Sequence, residues 1–158
     1  MLNRMKEAMD NILRQEQAGF RKGRSCCEQI FTLRQIIEKV HARDRSLYIS
    51  FVHFQKVFDS IHRMSLREIL KCYGIPEKLR DIIKSFYDGG RSNVRINGLL
   101  SDWLEVCSGV RQGCLLSPLL FAIVTDWCMK HAVHATYRNT TTIYCYACFC
   151  ILKRDKNV

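Results

Sequence analysis

Gly109-Val110-Arg111-Gln112-Gly113-Cys114-Leu115-Leu116-Ser117-Pro118-Leu119-Leu120-Phe121 decides how the rest of this chain is read. Its first part, from Ser108 to Gly113, has the composition of a loop. Ser117-Pro118 then starts a helix, because proline suits the first helical turn, where its missing N–H would be unpaired in any case. Leu120, Phe121, Val124 and Trp127 continue at helical spacing.

Working upstream, Asn93-Val94-Arg95-Ile96-Asn97-Gly98 reads as a hairpin, since Asn-Gly readily takes the positive φ values of a tight turn, and Trp103 to Cys107 is its expected return strand. Leu47 to Val52 is β-rich and apolar on both faces, the pattern of a central buried strand, and it ends at His53. Between strand and hairpin, Ser65 and Glu68 form the pattern of a capping box ahead of Leu66, Ile69 and Leu70, and Gly74 closes that helix. Pro76 opens the next helix, carrying Leu79, Ile82, Ile83 and Phe86, which ends at Gly89-Gly90.

At the start of the chain Leu2, Met5, Met9, Ile12 and Leu13 share one helical face. Gln17 to Arg24 breaks that helix with two glycines and three basic residues around Phe20. Ser25 and Glu28 form a further capping box, followed by Ile30, Leu33, Ile37 and Val40 at helical spacing. Helices mixed with an antiparallel pair and one buried strand predict an α+β fold. From about residue 131 the periodicity lapses into the Cys-rich run Thr140 to Cys150, so the chain divides into a domain over 1–130 and a tail over 131–158.

The balance of 25 Lys+Arg against 15 Asp+Glu, a formal charge of +10, suits a polyanionic partner, because each cation that meets a phosphate releases condensed counterions. RNA or DNA is the expected partner, and the oligomeric state is not readable. Nine cysteines cannot all pair within one chain, and the charged start, with Arg4, Lys6, Glu7, Asp10 and Arg14, has no apolar signal core. An intracellular, non-secreted protein with reduced thiols is expected. The late apolar run, Ile143 to Leu152, is too short to span a bilayer, so no membrane role is expected.

Three segments together resemble the reverse transcriptases of non-LTR, LINE-type retrotransposons: Gln17-Ala18-Gly19-Phe20-Arg21, Ser50 to Asp59, and Gly109 to Phe121. Their order and spacing match as well, over roughly residues 1–130. The resemblance implies a partial right-hand polymerase, fingers plus an incomplete palm, without the family's thumb or upstream endonuclease. It also implies roles for particular residues. Phe58 matches the steric gate against a ribose 2′-hydroxyl. Gln112 and Gly113 match residues lining the nucleotide pocket, where a backbone without a side chain lets substrate approach closely. Ser117 and Pro118 match the end of that loop. Phe20, Arg21, Lys22, Arg24 and Arg111 are candidates for contact with a template strand, where basic residues beside an aromatic suit single-stranded nucleic acid.

The same resemblance shows what is missing. Intact members hold Mg²⁺ with aspartates, because two divalent ions clamping the attacking and leaving oxygens require hard anionic ligands. His53 stands where the first of those aspartates is expected, and a neutral imidazole is a poor replacement. Asp59 lies six positions further on, where the family has an aspartate with no metal role. The remaining carboxylates belong to a Phe/Tyr-Ala-Asp-Asp hairpin, yet no Asp-Asp pair occurs, and the acidic residues after Ser117 are only Asp126 and Asp155. Asp126 is expected on the polar side of its helix. The expectation is a remnant reverse transcriptase domain that is catalytically inactive and binds no cofactor, its palm cut before the central hairpin and its sheet edge exposed.

Two other readings stand beside it. One is a non-catalytic RNA- or DNA-binding module. The other is a zinc-binding tail through His131, His134, Cys145 and Cys148, whose H-x-x-H and C-x-x-C spacings are those of zinc ligands.

Overall fold

A computed structural model describes residues 2–136, 141–145 and 149–154. In chain order the elements are α1 (Leu2–Asp10), α2 (Cys26–His41), β1 (Tyr48–His53), α3 (Arg63–Cys72) and α4 (Glu77–Ser85). Four two-residue strands follow: β2 (Arg91–Ser92), β3 (Arg95–Ile96), β4 (Leu99–Leu100) and β5 (Leu104–Glu105). The last elements are α5 (Ser117–Thr136), β6 (Thr141–Cys145) and β7 (Phe149–Arg154). Helices beside small antiparallel sheets make the fold α+β, as expected. The chain divides into two compact units, Met1–Gln55 with Pro118–Val158, and Lys56–Ser117.

In the first unit α5 supplies much of the core: Leu119, Leu120, Phe121, Ala122 and Ile123 are all buried. Met5, Met9 and Leu13 from the start of the chain are buried too, whereas Ile12, expected on the same face, is exposed. The Ser25 capping box forms as read: the Ser25 hydroxyl accepts from Cys27 N, and Ser25 N donates to the Glu28 carboxylate. No residue of α2 is buried, and Ile30, Phe31 and Ile37 all face outward.

The sheet of this unit has the order β1-β7-β6, antiparallel throughout. Two expectations are corrected here. β1 lies at an edge and not at the centre, with Phe51 63% exposed. The centre belongs to β7, which pairs with β1 on one side and β6 on the other. β6 and β7, which follow α5 in the chain, form the antiparallel pair on which β1 adds.

Asp126 is the second correction. It is not on a polar face: its side chain is 0% exposed, with Arg14 Nε at 2.7 Å and Lys130 Nζ at 2.9 Å. Arg14 N also donates to it at 3.3 Å. Inside an apolar helix such a carboxylate is tolerable only when its lone pairs are met by donors and its charge by cations. The tie joins the turn after α1 to the middle of α5, residues 112 positions apart.

In the second unit α3 and α4 pack side by side, burying Leu66, Ile69, Leu70 and Ile83. The cap of α3 differs from its reading. His62, not Ser65, occupies the N-cap, accepting from Ser65 N, so Ser65 sits within the first turn. Imidazole replaces the hydroxyl because His62 is three residues ahead of the amide that needs an acceptor. Pro76 likewise takes the N-cap position of α4, ahead of the first turn. The Asn97-Gly98 turn is as read, with φ of 50° and 84°. Its return is split, however: Ile96 pairs with Leu99, and the later β5 pairs with β2.

The buried tie sets the first expectation for experiment. Asp126→Ala leaves Arg14 and Lys130 facing an apolar helix with no counter-charge, so urea denaturation should register a loss of about 3–5 kcal/mol. A loss below about 1 kcal/mol, the value of an exposed ion pair, would contradict the assignment.

Candidate functional site

The second unit brings two of the three quoted segments together through backbone contacts. Val110 N donates to Phe58 O at 2.7 Å, Gly109 N to Ile61 O at 2.9 Å, and Ser108 Oγ to Asp59 O at 3.3 Å. Gly109 has φ +78°, and a Cβ placed there would lie 2.7 Å from Asp59 Cα and 2.8 Å from Phe58 O. Only glycine allows the loop to approach the 58–59 turn this closely. The sequence reading singled out Gly113 for a bare backbone. Gly109 is the glycine whose missing side chain the packing requires.

Arg63 fastens the same loop from α3. Its three guanidinium nitrogens donate to the carbonyls of Gly109 at 3.0 Å, Tyr87 at 3.0 Å and Ser108 at 3.1 Å. The guanidinium also lies 5.4 Å from the centre of the Tyr87 ring. No spacing in the sequence points to this residue, because its partners are backbone atoms between 24 and 46 positions away.

Of the residues expected to line a nucleotide pocket, Phe58 is half-buried, and Gln112 and Gly113 are exposed. Gln112 Nε2 reaches both carboxylate oxygens of Asp59, at 3.3 and 3.4 Å. Ser117 is 1% exposed, with its hydroxyl 3.4 Å from Tyr87 Oη. Burial raises the Tyr87 phenol above its ordinary value. For Cys114 burial acts in the same direction, but the N–H groups of Leu116 and Ser117, the Ser117 hydroxyl and the Arg111 charge outweigh it and hold the thiol below its usual range. The sulfur thus meets the backbone amides of Leu116 and Ser117. Pro118, the first residue of the other unit in this part of the chain, is half-buried.

In the first unit the candidates for strand contact separate into two kinds. The Arg21 side chain is 4% exposed, and its donors go to Asp10 Oδ1 and to the carbonyls of Asp10, Arg14 and Gln17. Its guanidinium holds the Asp10 carboxyl below the ordinary value. Arg21 therefore fixes the turn after α1 with four of its five N–H donors. Phe20, at φ 59°, is 45% exposed and meets the Phe121 ring edge-on at 6.2 Å. Lys22 and Arg24 are exposed, as is Arg111 in the second unit.

The strand register adds a juxtaposition that motif reading missed. His53, the last residue of β1, is paired with Phe149, the first residue of β7, and Val52 with Cys150. The chain between β6 and β7 has the sequence Tyr146-Ala147-Cys148. Tyr146-Ala147 has the first two residue types of the Phe/Tyr-Ala-Asp-Asp pattern, and Cys148-Phe149 follows it. That signal was present in the sequence but masked by the run of cysteines around it.

Of the expected zinc ligands, only His131 has a described side chain, and among the described residues no group of three His, Cys, Asp or Glu side chains is suited to a metal. His131 stacks on Trp127 at 4.0 Å and its Nδ1 lies 2.8 Å from Trp127 O. Cys148 and the side chains of His134 and Cys145 lie outside the described residues. No helix among the described residues is long and apolar enough to cross a membrane.

The family model for reverse transcriptase (RNA-dependent DNA polymerase) matches residues 1–148, and so continues past residue 130 into the β6–β7 segment. The retrovirus-related Pol polyprotein from the type-2 retrotransposable element R2DM of Drosophila melanogaster is 32% identical over 110 residues, covering 70% of this chain and 10% of that protein. The probable RNA-directed DNA polymerase from transposon BS of the same organism is 30% identical over 151 residues, 92% of this chain and 16% of that protein. The RNA-directed DNA polymerase from mobile element jockey of Drosophila funebris is 29% identical over 155 residues, 93% of this chain and 16% of that protein. The chain thus spans between a tenth and a sixth of the length of these relatives. It belongs to the reverse transcriptase (RNA-dependent DNA polymerase) family, with relatives in non-LTR retrotransposons.

Proposed function

We propose that this chain is a reverse transcriptase domain that has lost catalysis and keeps a capacity to hold nucleic acid. The observation that carries this reading is the pairing of His53 with Phe149. On the family pattern, the strand end and the hairpin turn beside it are where the metal-holding aspartates converge. Here the corresponding positions carry an imidazole, a thiol and a phenyl ring, at His53, Cys148 and Phe149. Mg²⁺ requires oxygen ligands in near-octahedral array, and this donor set does not fit it. Asp59 is engaged by Gln112 in the other unit and supplies a single carboxylate where the chemistry needs several. On this reading the domain is not confined to residues 1–130 but runs through the hairpin, consistent with the reach of the family match.

Nucleic-acid contact rests on different atoms. Lys22, Arg24 and Arg111 are exposed in a chain of formal charge +10, and none of them depends on a metal. Phe20 adds a partly exposed ring beside Lys22 and Arg24.

Primer extension on a primed RNA template, with Mg²⁺ or Mn²⁺, should give no product above background. His53→Asp should be equally silent, because the hairpin positions remain without carboxylates. Template-dependent product that persists through successive purification steps would overturn the proposal. Filter binding of a single-stranded RNA should show affinity falling about 20-fold between 50 and 200 mM salt if about three phosphates are neutralised. Affinity independent of salt would remove the assigned contacts.

A further inference from the structure

The second unit contains a cleft with no place in polymerase chemistry. It lies between α3 and α4, has a volume of about 70 Å³, and is floored by Leu66, Leu70, Ile83 and Tyr87. All four floor residues are at most 4% exposed, and Met64 stands at the mouth, 64% exposed. Around this apolar floor the lining includes four cations, Arg63, Arg67, Arg80 and Lys84, against one carboxylate, Asp88. An apolar hollow ringed by positive charge asks two things of an occupant at once.

The cations differ in how far they are already engaged. Arg63 directs each of its three nitrogens to a backbone carbonyl, and Arg67 pairs with Asp81 at 2.7 Å. Arg80 uses its Nε on Ile75 O, and Lys84 has only a 3.9 Å contact with the exposed Asp88. Arg80 and Lys84 stand one turn apart on α4, an arrangement of like charges that opposes the helix unless an anion lies near. A nucleic-acid strand would answer the charge and leave the floor uncovered. A neutral apolar segment would fill the floor and leave the cations unanswered. The apolar floor suits an aliphatic side chain, which leaves no polar atom unpaired on burial.

We propose that the α3–α4 cleft is a docking site for an acidic peptide segment of a partner protein, anchored by one aliphatic side chain. The anchor covers Leu66, Leu70 and Ile83, and carboxylates on either side of it meet Arg80 and Lys84. Charge complementarity selects this occupant over a second copy of the chain, whose own surface is strongly basic. The site is independent of the catalytic reading, since it uses no residue assigned to nucleotide or template.

The test uses the full chain and a fluorescein-labelled peptide with one leucine flanked on each side by three aspartates, followed by fluorescence anisotropy. Saturable binding is expected, weakened tenfold or more when the leucine is replaced by alanine. Arg80→Glu with Lys84→Glu should weaken it about tenfold with an unchanged circular dichroism spectrum, and Lys39→Glu on α2 should leave it unaltered. Equal binding of the alanine peptide would reduce the site to general attraction of polyanions and overturn the proposal. So would absence of saturable binding, or displacement of the peptide by oligoadenylate at equivalent phosphate concentration.

Discussion

The carboxylate of Asp126, fully enclosed in the longest helix, organises the first unit. An ionised group in an apolar interior is costly, and the cost is offset only by close cations and hydrogen bonds. Arg14 and Lys130 provide both, and Arg14 brings the turn after α1 with it. Arg21 then ties that turn to Asp10 and to the Arg14 and Gln17 carbonyls. The conspicuous Gln-Ala-Gly-Phe-Arg motif is thus held by a chain of polar contacts that begins in a buried helix. Much of its charge serves structure before any ligand arrives.

In the second unit the corresponding constraint is steric. Gly109 lets the loop meet the turn at Phe58 and Asp59 at backbone distance, and Arg63 holds the loop by the Ser108 and Gly109 carbonyls while also bonding Tyr87 O. On the proposed reading, these contacts let the family scaffold persist without its chemistry. Neither a glycine against a backbone nor a guanidinium on carbonyls requires the metal-binding carboxylates. The scaffold and the catalytic set are held by separate interactions, so one can decay while the other remains.

What could be read from the sequence follows the range of the physics involved. The Ser25 capping box and the Asn97-Gly98 turn are local, fixed by atoms within a few residues, and both form as expected. The Ser65 box was displaced because the helix starts three residues earlier, where His62 offers an acceptor to Ser65 N. Long-range facts were less accessible. An apolar run on both faces suits a central strand, and both β1 and β7 have one; only pairing reveals that β7 is the centre and β1 the edge. Asp126 looked like a polar-face residue because the cation that justifies its burial lies 112 positions away. The three family segments were legible as residues, but the pairing of His53 with Phe149 required the sheet.

Phosphoryl transfer in this family depends on clustered anionic oxygens, and the account stands on their replacement at the strand end and hairpin. Manganese is the most direct probe, since it occupies magnesium sites and is read by electron paramagnetic resonance. Mn²⁺ titrated into the chain with primed template and a deoxynucleoside triphosphate should show only nucleotide-bound ions, unchanged by His53→Ala. A spin-coupled pair of Mn²⁺ ions for each chain, lost on His53→Ala, would contradict it.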